Sequence, residues 1–246
     1  MGKLSANDGV MSVSIVFDQG GVVLYHADCL DVLPQLERES AHLLLTDPPY
    51  GQEYQSNKRQ QPLAMIQGDD GSLDLSELLT AACRVLRRGR HAYVFGPFPA
   101  EGTPLTAAVP LIWDKKVNGT GNLSLPWSKS HENITFCVYE PSGANRAKGY
   151  GNLAARMRRG SVVQCPRPQG AATGRHPNEK PVLLLRQLIE SSSVMGETVL
   201  DPFAGSGSTL VAAMREGRRA VGIEVDGAYC ATAVRRLAAE AAAEGT

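Results

Sequence analysis

The chain has 246 residues, 43% of them hydrophobic, and carries 25 Lys+Arg against 25 Asp+Glu, so its formal net charge is zero. That length and apolar content build one sizeable buried core, while a balanced charge by itself singles out neither nucleic acid nor a membrane surface as partner. No apolar run approaches the ~20 residues that span a bilayer, and residues 1–13 hold no signal-like apolar core, which points to a cytoplasmic protein. Five scattered cysteines, an odd number, define neither a disulfide framework nor a metal-ligand spacing, so no metal site is expected.

Taken in chain order, residues 1–13 read as a short irregular lead-in. Apolar runs at 22–26, 42–46, 91–95, 109–113, 134–139, 198–200 and 220–225 predict seven strands, several apolar almost throughout, as in a sheet covered on both faces. Between them the periodicity predicts helices. One covers 73–86, stopped by Gly89. Another opens with Pro181 at its first helical position and turns Leu184, Leu185, Leu188 and Ile189 inward. A third covers 208–215 with Gly217 as its stop, and the last starts near Ala228 with Cys230, Val234 and Leu237 on one stripe. The alternation predicts an α/β fold, a doubly wound, mostly parallel sheet, in a single domain over 1–246. Ligands in such sheets sit at the carboxyl ends of strands, so motifs just after a strand carry the most information.

Two stretches lack any period. Residues 114–130 would join two antiparallel strands at the sheet edge. Residues 141–178 contain no acidic residue, yet hold Arg146, Lys148, Arg156, Arg158, Arg159, Arg167 and Arg175. Screening at physiological salt acts over roughly 8 Å, so a polyanion responds to such a cluster and not to the whole-chain sum. A solvated surface loop and a nucleic-acid contact fit this cluster equally well.

The strongest chemical signal is the run from Thr198 to Thr209, Thr-Val-Leu-Asp-Pro-Phe-Ala-Gly-Ser-Gly-Ser-Thr, a strand followed by a glycine turn that opens a helix. Gly205 and Gly207 let backbone approach a ligand closely, and the helix start offers unpaired N–H groups. Asp201 at the strand end would repel a phosphate and welcome a cationic or amino group, which disfavours a dinucleotide. Glu224 ends the next strand, where an acid can hold two ribose hydroxyls. The second signal is Leu43-Leu-Leu-Thr-Asp47-Pro48-Pro49-Tyr50. Two prolines stop the strand and leave the Pro48 carbonyl without a ladder partner. A carboxylate, a carbonyl and an aromatic face together suit a planar base bearing an amino group, although a Pro-Pro turn capped by a surface tyrosine fits the tetrapeptide equally.

Together these residues resemble the DNA amino-methyltransferases of the β class, which methylate adenine N6 or cytosine N4. Asp201-Pro202-Phe203-Ala204-Gly205-Ser206-Gly207 is similar to the cofactor motif, and Asp47-Pro48-Pro49-Tyr50 to the catalytic motif. His176-Pro-Asn-Glu-Lys180-Pro181 resembles the box before the cofactor strand. The segment around Tyr25, Asp28 and Cys29, and the segment from Gly222 through Glu224 and Val225 to Arg235-Arg236-Leu237, match the family's opening and closing segments. Trp113, His131 and Glu132 match more loosely. The catalytic motif precedes the cofactor motif, a circularly permuted order that argues against protein glutamine methyltransferases.

The resemblance implies a Rossmann-like methyltransferase sheet of seven strands and S-adenosylmethionine as methyl donor. It assigns Glu224 to the ribose hydroxyls, Asp28 to the adenine edge, Asp201, Gly205 and Ser206 to the methionine part, Lys180 to its carboxylate, and Phe203 to packing beneath it. Residue 28 serves equally well as a cap for a helix over 30–36, and His176 as a shaper of its Pro turn. The implied chemistry has Asp47 and the Pro48 carbonyl accept the two amine hydrogens, drawing the nitrogen toward a tetrahedral shape, while Tyr50 stacks on the flipped base. Cytosine ring-carbon chemistry needs a nucleophilic Pro-Cys; here Cys165 precedes Pro166 instead. N4-cytosine enzymes more often carry Ser where Asp47 stands, which tilts the choice to adenine; RNA as substrate and a non-catalytic nucleic-acid-binding module are the remaining alternatives. The family usually inserts a substantial target-recognition segment, whereas only about 141–175 is available here. Double-stranded DNA is the expected partner, with Arg146, Lys148, Arg156, Arg158 and Arg159 on its phosphates. A homodimer and a paired restriction endonuclease are compatible with the sequence, which identifies neither. Residues 51–69 would flank the flipped base.

Overall fold

The computed structural model describes residues 13–49, 74–99, 101–116, 124, 126–128, 130–140, 159–166 and 179–244. Along the chain run β1 (Ser14–Gln19), β2 (Val22–His26), α1 (Cys29–Val32) with a 3-10 turn at Leu33–Gln35, β3 (Ala41–Thr46), α2 (Leu75–Val85), β4 (Leu86–Phe95), β5 (Leu105–Asp114) and β6 (His131–Tyr139). Then follow β7 (Val162–Gln164), α3 (Val182–Ser192), β8 (Thr198–Asp201), α4 (Ser208–Arg215), β9 (Arg219–Glu224) and α5 (Gly227–Glu244). The strands form a single sheet in the order β1-β2-β9-β8-β3-β4-β6-β5-β7.

The fold is α/β, but the sheet has nine described strands where the sequence pattern suggested seven. β1 joins through a hairpin whose turn is Gly20-Gly21, at φ 62° and 75°, values that glycine adopts without a Cβ penalty. Its apolar run, Ile15-Val16-Phe17, is short and ends in the polar pair Asp18-Gln19, so it does not stand out from the residues read as a lead-in. β7 has only three residues, too few to display a period. Gly89 does not stop a helix: α2 ends at Val85, and β4 begins at the next residue, with Gly89 inside it at φ 75°. Pro181 caps α3 from just outside its first turn.

Helices cover the sheet on two sides because the central strands are apolar on both. In β3, Leu43 and Leu45 pack with Leu184, Leu188, Leu210 and Leu237 of α3, α4 and α5. Leu44, pointing the other way, packs with Val32 of α1 and Leu78, Leu79 and Ala82 of α2. Each of these fully buried leucines contributes roughly 1.5–3 kcal/mol, enough to fix the register of β3 against its neighbours.

That register decides where the chemistry sits. β2, β9, β8, β3 and β4 pair in parallel, while β6 runs antiparallel to β4 and to β5. The carboxyl ends of β9, β8, β3 and β4 therefore share one sheet edge, and these ends carry Glu224, Asp201, Asp47 and Phe95. The 114–130 stretch joins the antiparallel pair β5–β6, as its position suggested, although β7 lies outside β5 and forms the edge among the described strands. No described helix is long and apolar enough to cross a membrane.

Candidate active site

Asp201 closes β8 and is 3% exposed. Its Oδ1 accepts the Phe203 N–H at 3.1 Å, and the Thr209 side chain hydrogen-bonds to it as well. Burial pushes its carboxyl up to about 7; the charges of Asp47 and Glu224 add to that, and the Thr209 and Phe203 bonds oppose it. The chain then turns through Pro202 and Phe203, and Ala204 donates its N–H to the Ile223 carbonyl of β9 at 2.8 Å.

Two glycines in left-handed conformation complete the turn, Gly205 at φ 53° and Gly207 at φ 80°. Their reasons differ. A Cβ on Gly207, the residue capping α4, would lie 2.9 Å from the Ala233 Cβ of α5, so the helix pair needs the missing side chain. A Cβ on Gly205 would meet nothing within 4 Å, which leaves open space before the turn. Arg236 holds the turn from behind. Its Nη1 donates to the Ser206 carbonyl at 2.7 Å, Ser206 Oγ at 2.9 Å and Ser208 Oγ at 3.1 Å, and its Nη2 pairs with Glu179 at 3.0 Å.

Glu224, at the end of β9, accepts the Gly205 N–H at 2.7 Å through Oε2 and the Asp226 N–H at 2.8 Å through Oε1. Burial raises its pKa against these backbone bonds. The carboxylate thus fastens the glycine turn to the start of α5, and a backbone hydrogen bond from Val225 also favours its charged form. Val225, the next residue, receives a hydrogen bond from His26 Nε2 at 3.2 Å on its carbonyl. Asp28 caps α1, accepting the Leu30 N–H at 2.8 Å. Its neighbour Cys29 is buried, and burial, reinforced by the charge of Asp28, pushes the thiol up to about 12.

Asp47 follows β3 directly, with Pro48 buried and Pro49 partly so. Lys180, reaching in from just before α3, places Nζ 2.5 Å from Asp47 Oδ2 and 3.1 Å from Glu132 Oε2. Glu132 is held on its other oxygen by Lys115 at 2.6 Å. Burial alone would lower the Lys180 pKa, but Asp47 and Glu132 outweigh it and raise it. For Glu132, burial works upward, and the two ammonium groups outweigh it and hold the carboxyl below its ordinary range. Both ammonium groups also sit over aromatic rings, Lys180 at 5.0 Å from the Phe95 centroid and Lys115 at 5.2 Å from that of Trp113.

The structure thus brings Asp47, Lys180, Asp201, Gly205 and Glu224 to adjoining strand ends on one edge of the sheet, where the charges of Asp47 and Glu224 act on Asp201, and Phe203, next to Asp201, is partly buried. Ser206 belongs to the Arg236 cluster behind the turn. Arg159 donates to Gln187 at 3.1 Å and pairs with Glu190 at 2.5 Å, so its guanidinium lies along α3. Tyr50, His176, Arg146, Lys148, Arg156, Arg158 and residues 51–69 lie outside the described residues, as does most of 141–175. Pattern reading gave no role to Lys115 or Arg236. For Arg236 a signal existed: it lies in the Arg235-Arg236-Leu237 run that resembles the family's closing segment. For Lys115 there was none, since its contact depends on the β5–β6 register.

Comparison with known proteins identifies the family. The model of a family described as DNA methylase, N6_N4_Mtase, matches residues 110–235, just over half of the chain. The type II methyltransferase M2.DpnII of Streptococcus pneumoniae is 27% identical over 94% of this chain and 95% of its own length. The DNA adenine methyltransferase YhdJ of Escherichia coli (strain K12) is 28% identical over 90% of this chain and 84% of its own. Among solved structures, the M1.HpyAVI–SAM complex superposes with a TM-score of 0.65 at 19% identity, covering 87% of this chain and 98% of that one, a likeness of fold. TTHA0409 of Thermus thermophilus, a DNA modification methylase candidate, superposes at 0.59 with 26% identity over 87% and 93% of the two chains.

Proposed function

The chain belongs to the DNA methylase family whose model spans residues 110–235, and from that membership we propose that it transfers a methyl group from S-adenosylmethionine to the exocyclic N6 of adenine in DNA, after flipping the base from the duplex. The observation that carries the reading is the alignment of Glu224, Asp201 and Asp47 at the carboxyl ends of three neighbouring parallel strands, β9, β8 and β3. Neighbouring strands lie about 4.8 Å apart, so a donor and a base can share this edge.

The residues fit the donor. Open space lies before Gly205, Glu224 has acceptor capacity beyond its backbone bonds for a ribose hydroxyl, and Asp201 supplies a carboxylate for a cationic group. When bound, S-adenosylmethionine supplies an electrophilic methyl on a sulfonium centre. The protein's part is positioning and charge. Asp47 and the Pro48 carbonyl accept the two amine N–H groups, freeing the nitrogen lone pair from the ring, and Asp47 offsets the positive charge that develops on nitrogen. Lys180 fixes the rotation of the Asp47 carboxylate through Oδ2. Tyr50 stacks on the extruded base, offsetting an unstacking cost of a few kcal/mol.

The names of YhdJ as an adenine enzyme and of M2.DpnII as a type II methyltransferase support adenine as target and a restriction–modification setting. A cytoplasmic location is in keeping with DNA as substrate, and the basic residues of 141–175 are assigned to phosphate contacts, apart from Arg159, which Gln187 and Glu190 engage. Incubation of the protein with unmethylated plasmid and S-adenosylmethionine, followed by nucleoside mass spectrometry, tests the proposal. N6-methyladenine is the expected product, and Asp47→Asn should lower its rate on the order of 10²–10³-fold. N4-methylcytosine as sole product would refute adenine, and bound donor without transfer to any DNA would leave a binding module.

A further inference from the structure

The antiparallel half of the sheet has no task in the mechanism so far, yet it carries a row of charges that ends at Asp47. The row follows the strand order β5-β6-β4-β3. Lys115 stands at the end of β5, and Glu132 lies on β6, where it pairs in register with Trp113 of β5. Lys180 Nζ rests over Phe95 at the end of β4, and Asp47 follows β3. Signs alternate, plus, minus, plus, minus, over contacts of 2.6, 3.1 and 2.5 Å. The side chains of Lys115 and Lys180 are each only 12% exposed, so water screens these contacts far less than it would at the surface.

We infer that Glu132, anchored by Lys115, is a positioning residue for methyl transfer: it fixes the Lys180 ammonium so that Lys180 orients the Asp47 carboxylate toward the target amine. The alternative client for Lys180 is the donor's carboxylate, and the geometry favours Asp47. A lysine side chain is a flexible stem with a compact charge and settles where its anions are. Two carboxylates, Glu132 on β6 and Asp47 just after β3, already flank this one. Trp113 steadies the far end of the row, its indole N–H bonded to the Cys165 carbonyl at 2.7 Å. The strands that flank the catalytic edge thereby act on it through charge.

The inference rests on the methyltransferase reading, and its test separates the two. Wild type, Glu132→Gln, Lys115→Met and the double variant are compared for kcat, KM for DNA and the Kd of S-adenosylmethionine, with thermal unfolding as a check on folding. Glu132→Gln keeps the shape and removes the charge. It should lower kcat on the order of 10²-fold, the effect of misplacing a reacting group by about an ångström, with KM and Kd within about twofold of wild type. Lys115→Met should lower kcat less, and the double variant no further than Glu132→Gln, because both act through one chain of contacts. Lys115→Met alone carries the test should Glu132→Gln fail to fold. Full kcat in the variants of an active enzyme, or a donor Kd that weakens in step with kcat, overturns the inference alone. A wild-type protein that methylates no DNA overturns the methyltransferase reading and this inference with it.

Discussion

Replacing Asp201 by asparagine isolates the cost of a buried carboxylate at the centre of the site. The substitution preserves shape, and the asparagine oxygen still accepts the Phe203 N–H. In the folded protein the Asp201 carboxyl is pushed up to about 7 from an ordinary 3.8, by burial first and by the neighbouring Asp47 and Glu224 charges as well. A rise of about three units at 1.36 kcal/mol each amounts to about 4 kcal/mol. The sign follows from which state holds the proton. Below about pH 4 the carboxyl is neutral in both folded and unfolded chains, and its contribution is complete. Between about pH 4 and 7 the unfolded chain ionises while the folded one keeps its proton, so stability falls as pH rises, and above about 7 the loss levels off. Urea denaturation of both proteins at steps from pH 5 to 7.5 should therefore show the wild type losing about 2.5 kcal/mol relative to Asp201→Asn. Parallel stability–pH curves for the two proteins would refute the reasoning, because they would mean that Asp201 ionises alike in the folded and unfolded chains.

Four further outcomes follow from the same geometry. A cationic donor beside Asp201 favours its ionised form, so S-adenosylmethionine binding at about pH 6 should release close to one proton, read by calorimetry in two buffers of different ionisation enthalpy; Asp201→Asn should release almost none. Gly207→Ala forces a left-handed residue to carry a Cβ 2.9 Å from that of Ala233, and should cost at least about 1–2 kcal/mol, seen as a lowered urea midpoint. Arg236→Met removes three hydrogen bonds and an ion pair from behind the glycine turn; it should weaken donor binding about tenfold while leaving the helical circular dichroism intact. Trp113→Phe leaves the buried Cys165 carbonyl without its indole partner and should cost about 1–3 kcal/mol, measured by urea denaturation.

How far the sequence discloses this molecule depends on whether a feature is local. Leu43–Leu45 announce a strand because helices cover both of its faces, and the glycines at 205 and 207 announce a turn because few other residues accept φ 53° and 80°. β1 escapes notice because its apolar run, Ile15-Val16-Phe17, is only three residues long and follows directly on an irregular lead-in, and the Gly20-Gly21 turn is its clearest mark. Gly89 misleads because a glycine after a helical stretch has the same spelling whether it ends the helix or bends a strand.

The site divides in the same way. Asp47, Asp201 and Glu224 can each be placed at a strand end from their own neighbourhoods, and only the strand order β9-β8-β3 is needed to bring them together. A charge partner is another matter, because it is set by residues distant in the chain. Lys180 and Glu132 are 48 positions apart, and Glu132 and Lys115 are 17 apart; they meet because β5 pairs with β6 and β6 with β4. The local motif brings Lys180 to this edge of the sheet but not to one anion along it. With Glu132 on its far side, the ammonium is drawn between two carboxylates, and residue 47 gains an orientation that its own tetrapeptide does not encode.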